Sequence, residues 1–407
     1  MRILHLTPEY PPIIWGGLGT AVGGLVSASA FSGMTVGVLL VGGVLVLSPH
    51  GLGESVSGQI PYGQLHSMFN PEELRADLSA SKGIAFFQVS PAEAVEAGVR
   101  LALAWKPDVV HVHTAWLWDV ALAIREATGA PLVFTVHSLD RVEYAHGVFL
   151  WHWEAQEKAI CSADRIIALS LSEAQLIAEH CPTTSRNIRI VGNGIADTPA
   201  ARKSVRNVRS ADPALVLYSG RFVNRKGIRE LLAAIPRVLE ARPSTRFVLA
   251  GGYGGGAEIE RAWLIDALLP YRNQVQFTGW LVPSEVAKWY CAADILVVPS
   301  WYEPFGMVIL EGMLHGLSIA ATNLGGPAEI LQHEQTAVLF PPKDAQALAD
   351  ALIRLLTDIP FRVSLAATAA AEARRTWLWP QLIKKMRRVY EELMPASRNK
   401  WVEHSAN

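Results

Sequence analysis

The chain has 407 residues, half of them hydrophobic, a length that exceeds one ordinary core and suits two domains of roughly 200 residues each. Its 36 Lys and Arg against 37 Asp and Glu leave a net charge of −1, without the basic excess of a nucleic-acid binder, and no nucleic-acid partner is expected.

In chain order, Arg2–Thr7 predicts a first strand, and its apolar run is too short for a secretory signal. From Pro11 to Gly53 there is no Asp, Glu, Lys or Arg, which is long enough to suggest a membrane span. Eleven glycines and a Ser32-Gly33 turn argue instead for a strand–helix–strand unit of a buried parallel sheet, helical over about 20–31 and extended over about 35–47. Further strands are predicted at Val36–Leu47, Val109–His113, Leu132–His137 and Arg165–Leu169, with helices at Ala92–Ala104, Trp118–Ala127 and Trp151–Cys161 between them. Ile188–Gly194 closes this half.

Residues 197–212 are polar and poor in apolar side chains, as a linker is. The alternation then restarts, with strands at Leu215–Ser219, Arg246–Ala250, Val275–Thr278, Ile295–Pro299, Ser318–Ala321 and Ala337–Phe340 and a long helix at Ala345–Thr357. The final stretch, from Trp377 to about Leu393, reads as an amphipathic helix. This alternation predicts an α/β protein of two doubly wound parallel-sheet domains facing a cleft. The boundaries are 1–196, a linker over 197–212, 213–376, and a C-terminal helix over 377–407 that packs back on the first domain. Cys161, Cys181 and Cys291 lack any C-x-x-C spacing and read as buried thiols of a reducing cytosol.

Ligands of such sheets bind outside the carboxyl ends of the strands. The segment Pro299-Ser300-Trp301-Tyr302-Glu303-Pro304-Phe305-Gly306-Met307-Val308-Ile309-Leu310-Glu311 lies at one such end. A helix beginning near Pro304 or Phe305 would aim Glu303 into the cleft and place Glu311 two turns along it. The amides of Gly306, Met307 and Val308 would be free to receive an anion. The plainer reading makes Glu303 a dipole-favoured first-turn acid and Glu311 a solvated face residue. The Glu303–Glu311 spacing, seven residues between the two acids, resembles the signature of the retaining family 4 glycosyltransferases, which have the Rossmann-like B fold of the glycogen-synthase superfamily. The general look is of bacterial, including cyanobacterial, polysaccharide-assembly members.

The resemblance implies that Glu303 holds the donor sugar and Glu311 the nucleotide ribose, with Phe305, Gly306, Met307 and Val308 completing the donor site. Gly220-Arg221 and Lys226-Gly227 are similar to the family's diphosphate-binding pair, making Arg221 and Lys226 the cations that stabilise the departing diphosphate. Arg225, between them, is assigned no role. Trp15-Gly16-Gly17-Leu18-Gly19-Thr20 could be mistaken for a dinucleotide fingerprint. The first strand ends too early for that, however, and the next acid is Glu54. Gly16 and Gly17 look instead like the glycine loop of glycogen and starch synthases. Those enzymes carry Lys where Ile14 stands, so the resemblance favours a UDP-sugar enzyme over an ADP-glucose glycogen synthase.

His137 matches the family histidine beside the donor sugar, or is a satisfied strand-end histidine. His111 and His113, placed on alternate faces of their strand, are not expected to ligate a metal jointly, and His113 is weighed as an acceptor-side residue. Asn193-Gly194 resembles the family's turn closing the first domain. Gly251, Gly252 and the glycine-rich Tyr253–Gly256 either line the donor site or form a flexible loop.

The implied activity is metal-independent, retaining transfer of a hexose, best taken as glucose from UDP-glucose, to a saccharide or lipid-linked acceptor in polysaccharide or glycolipid synthesis. The catalytic set would be Glu303, His137, Arg221 and Lys226, with no cofactor beyond the nucleotide sugar. Loops near 50–85 and 138–150 would form the acceptor site. Alternatives are an ADP-glucose-dependent glycogen or starch synthase, a sugar-nucleotide epimerase, and a non-catalytic nucleotide-sugar-binding partner. The expected location is cytoplasmic. The charge-free segment and Trp401 leave a peripheral contact with the inner membrane open, although no Lys/Arg-rich amphipathic face accompanies them.

Overall fold

The computed structural model describes residues 1–11, 14, 16–42, 84–147, 153–205, 213–252 and 268–394. The predicted acceptor loop over 50–83, Trp15, Tyr253–Gly256 and Trp401 lie outside them. In the first half β1 (Arg2–Thr7), β2 (Thr35–Val41), β3 (Ile84–Val89), β4 (Val109–Val112), β5 (Leu132–Val136), β6 (Arg165–Ala168) and β7 (Ile188–Ile190) form one sheet. Its order is β3-β2-β1-β4-β5-β6-β7 and every pairing is parallel. The second sheet holds β8 (Leu215–Ser219), β9 (Arg246–Ala250), β10 (Val275–Gly279), β11 (Ile295–Val298), β12 (Ser318–Thr322) and β13 (Val338–Phe340). It is also wholly parallel, in the order β10-β9-β8-β11-β12-β13. In each sheet the winding reverses at one place, between β1 and β4 and between β8 and β11, and such a reversal opens a crevice at the carboxyl edge.

Each sheet is buried on both faces, which is why its strands read as nearly continuous apolar runs. The described part of the charge-free segment resolves into the helix Gly17–Phe31, the Ser32-Gly33 turn and β2; residues 43–53 lie outside the described residues. Among the described residues no helix is long and apolar enough to cross a membrane.

The connection between the domains is less loose than its composition suggests. Pro199–Val205 is a helix, and Ala201 is buried in the second domain's core. The helix Ile359–Thr376 packs against the second domain, while Trp379–Glu391 crosses back and buries Leu382, Ile383, Met386 and Val389 with Val22, Leu25 and Val26 of the first. The crossing is held by Ile195, whose N–H donates to Trp377 O (2.9 Å) and whose carbonyl accepts from Trp379 N (3.3 Å). Trp379 sits so close to the helix Gly17–Phe31 that a Cβ at Gly24 would collide with its Nε1. The outer side of Trp379–Glu391 exposes Lys384, Lys385 and Arg388, which corrects the expectation that the chain has no Lys/Arg-rich amphipathic face: these residues fall opposite the apolar stripe that packs on the first domain.

The cysteines differ from expectation. Cys161 and Cys181 form a disulfide with Cα atoms 6.7 Å apart, and none of the three cysteines is buried. The two lie 20 positions apart in sequence, but the chain's passage through β6 brings the end of the helix Trp153–Ser162 beside the end of Leu171–His180.

Candidate active site

The loops that follow β8 and β11 meet at the second sheet's reversal. Leaving β8, the chain bends through Gly220, whose N–H donates to Ala250 O (2.9 Å), and Arg221 to a short turn, Asn224–Lys226. Gly227 ends that turn at φ 66°, and a Cβ there would run into Pro299 O, so only glycine allows the two loops to touch. Across that contact Lys226 Nζ forms a short ion pair with Glu303 Oε2, the side chains 19% and 11% exposed. Ser300 Oγ lies 3.5 Å from the same oxygen.

Burial pushes the Glu303 carboxyl up, but Lys226, Arg225 and Arg221 outweigh it and hold it below its ordinary value. Burial pulls the Lys226 ammonium down; Glu303 opposes this and the two arginines reinforce it, leaving it below the usual lysine range. Arg221 is lowered in the same way, by burial first and then by Arg225. Three cations, Arg221, Arg225 and Lys226, therefore crowd around Glu303 and Glu143, with the buried Glu173 facing Arg225 from beyond Tyr302.

The helix after β11 begins later than expected. Its first residue is Met307, because Gly306 adopts φ 104°, a conformation that cannot continue back into a helix, and Pro304 and Phe305 stay in the loop. No side chain caps this end, which leaves the Met307 and Val308 amides for a ligand. Glu311 thus lies just beyond the first turn. Burial raises its pKa to about 7, only partly offset by the neighbouring Tyr290 hydroxyl. From the first domain, Gly17 approaches this helix so closely that its Cβ would lie 3.6 Å from Met307 Cγ, while Gly16 stands exposed with nothing within that reach. Phe305 is buried, packs edge-on to Trp377 with ring centroids 5.5 Å apart, and lies close against Gly192 of the first domain. Gly251, at φ 143°, donates its N–H to Gly279 O (3.0 Å), and Gly252 accepts from Phe222 N (2.9 Å).

Several participants carried no signal in the sequence. Arg225 is buried, donates from Nε to Glu143 Oε2 (2.5 Å) and from Nη1 to Tyr302 O (3.2 Å), and so ties the domains together. Tyr302 packs into the first domain's core, accepts a hydrogen bond from Leu139 N (2.7 Å) and donates to Glu173 (2.9 Å). These contacts join the loop carrying Glu303 to the loop that follows His137. Glu329 accepts from Leu171 N and Ser172 N at 2.7 and 2.8 Å, capping a first-domain helix from the second domain. Glu9 accepts from Gly19 N (3.2 Å) beside the glycine loop.

At the first sheet's reversal, His5 of β1 and His113 after β4 lie side by side, with His137 beyond them. The expectation that His111 and His113 point to alternate faces is corrected: residues two apart in a strand share a face. Their ring centroids are 4.3 Å apart, and His5, His111 and His113 each bring one nitrogen within 4.8 Å of the others. His111 is held by Tyr390 Oη and Thr135 Oγ1, both at 2.7 Å. Asn193 is buried, and Gly194 lies under Trp379 with room for no Cβ, 2.5 Å from Cδ2.

Two parallel doubly wound domains, with an acid–cation pair and a bare helix start at the second domain's crevice, define the architecture of the B-fold glycosyltransferases. Residues 213–358 match the family described as "Glycosyl transferases group 1" and residues 88–198 that described as "Glycosyltransferase Family 4". A glycogen synthase of Mycobacterium tuberculosis is 29% identical over 436 aligned residues, spanning 100% of this chain and 99% of its own. A D-inositol 3-phosphate glycosyltransferase of Pseudarthrobacter chlorophenolicus is 30% identical over 287 residues, 66% of this chain and 67% of its own. Among solved structures, Anabaena HepE in complex with UDP and glucose superposes with a TM-score of 0.71 at 19% identity, over 96% of this chain and 99% of that one. The chain belongs to the B-fold glycosyltransferases.

Proposed function

We propose that this enzyme is a retaining, metal-independent glucosyltransferase of family 4 that uses UDP-glucose and passes glucose to a hydroxyl of a saccharide or lipid-linked saccharide. The observation that carries this reading is the partly buried Lys226–Glu303 pair beside Arg221 and the uncapped amides of Met307 and Val308. In the reaction the acceptor oxygen bonds to C1 of glucose, the bond from C1 to the diphosphate oxygen breaks on the same face, and the acceptor proton passes to that departing oxygen. Arg221, Lys226 and the two amides neutralise the charge that accumulates there. Glu303 accepts hydrogen bonds from the sugar hydroxyls, Glu311 from the ribose, and His137 faces the sugar from the first domain. The remaining work is positioning and exclusion of water.

A second reading, an ADP-glucose-dependent glycogen synthase, is favoured by the full-length match to the mycobacterial glycogen synthase. Ile14, in place of a cationic residue before the glycine loop, supports the UDP-sugar reading. Turnover of UDP-, ADP- and GDP-glucose on glycogen and on bacterial lipid extracts, with and without EDTA, separates them. UDP-glucose should be used fastest, with the anomeric configuration kept and no loss in EDTA. Preference for ADP-glucose on glycogen would establish the second reading.

A further inference from the structure

Beneath the cleft three imidazoles form a row. His5 Nδ1 lies 3.0 Å from His113 Nε2, and His113 Nδ1 lies 3.3 Å from His137 Nε2. His5 and His113 are buried and His137 is partly exposed. Burial drives His5 to about 3 and His137 to about 4. Burial, then the neighbouring His111, His5 and His137, takes His113 well below its ordinary value, so all three are neutral at physiological pH.

A neutral imidazole carries one proton and offers one lone pair. His113 uses both nitrogens, so the two hydrogen bonds must run in the same direction, and only two arrangements exist. In one, protons sit on Nε2 of all three rings. That strands an N–H at His5 Nε2, a buried atom with no hydrogen-bond partner among the described residues. In the other, protons sit on Nδ1 of all three, and His5 Nε2 keeps only an idle lone pair. Orphaned buried N–H groups are rarer than under-used acceptors. The second arrangement is therefore favoured, and it leaves His137 with its proton on Nδ1, the nitrogen not occupied by His113.

We propose that His5 is a positioning residue: acting through His113, it locks His137 as the Nδ1–H tautomer, so that His137 meets a donor-sugar oxygen as a hydrogen-bond donor. His111 stays out of the row because both its nitrogens are taken by Tyr390 and Thr135. The sugar-facing part of the proposal rests on the function proposed above; the tautomer itself does not.

The test is a long-range proton–nitrogen NMR spectrum of the full-length protein labelled with 15N-histidine, recorded on the wild type, His5→Leu and His5→Asn. The side-chain amide of Asn replaces an Nδ1–H donor, whereas Leu cannot. His137 should show a protonated Nδ1 and a bare Nε2 in the wild type and in His5→Asn, and tautomer exchange in His5→Leu. Turnover should fall at least about tenfold in His5→Leu, with KM nearly unchanged, by comparison with enzymes whose histidine is held in the wrong tautomer, and Asn should restore most of it. A wild-type His137 protonated on Nε2 would overturn the proposal, as would an unchanged tautomer in His5→Leu. So would a spectrum altered by EDTA, which would show a cation held by His5, His111 and His113. Tautomer exchange in His5→Leu without loss of turnover would overturn the positioning role. Absence of glucosyl transfer by the wild type would instead defeat the function proposed above and leave the tautomer result standing.

Discussion

Arg225 of the second domain is buried against Glu143 of the first, with Nε 2.5 Å from Oε2 and side chains 4% and 3% exposed. The pair lies one residue from Lys226, so the contact between domains and the proposed diphosphate site share one turn. Removing one partner of a buried pair leaves an uncompensated charge and costs about 3–5 kcal/mol, whereas replacing both with apolar residues can cost little. Arg225→Met should therefore lower the denaturation midpoint sharply, and adding Glu143→Leu should restore most of it. Equal loss in the single and double variants would show that the pair does not join the domains.

Given its proposed role in donor binding, Glu311 should make stability and donor affinity respond oppositely to pH. Its folded pKa, raised by burial from 4.5 to about 7, penalises the ionised form. Stability is therefore unaffected below the unfolded value, falls as pH rises from 4.5, and levels off above 7, by about 3 kcal/mol at most. Glu173, raised by burial to about 7, adds a loss of the same sign. In the proposed donor complex the ribose hydroxyls donate to the ionised carboxylate, so UDP-glucose should bind more tightly as pH rises through 7. Glu311→Gln should raise the melting temperature at pH 8, flatten the binding profile and weaken binding. Calorimetric titration between pH 5.5 and 8 checks both trends.

Lys226→Ala should reduce kcat by about 10²–10³, the loss seen when one donor to a developing oxyanion is removed. Lys226 is also the main counterweight to burial at Glu303, so without it the Glu303 pKa rises. Residual activity should then climb with pH over a range where the wild type is flat. A pH–rate profile of the same shape in both proteins would show that Lys226 does not act on Glu303.

The Cys161–Cys181 bond closes a 20-residue separation within the first domain, worth about 3 kcal/mol by loop entropy. Thiol titration of the unreduced, unfolded protein should find Cys291 alone, and reduction should lower the melting temperature by several degrees while leaving turnover intact.

Much of the fold is legible in the sequence because it rests on local rules. Buried strands are apolar throughout, and the Glu303–Glu311 spacing sits on a single strand–loop–helix segment. The helix start is displaced by one local feature, the positive φ of Gly306. What stays hidden is pairing at a distance: Glu143 with Arg225 across 82 residues and His5 with His113 across 108. Tyr302 reads as a loop aromatic and becomes part of the other domain's core. The contact between His111 and His113 is nonetheless readable, since residues two apart in an extended segment share a face.

The most direct test of the central claim is a crystal structure with a non-transferable UDP-glucose analogue. The diphosphate should contact Arg221, Lys226 and the amides of Met307 and Val308, with the sugar on Glu303 and the ribose on Glu311. A nucleotide bound away from the β8–β11 reversal, or a Lys226–Glu303 pair untouched by it, would contradict the account.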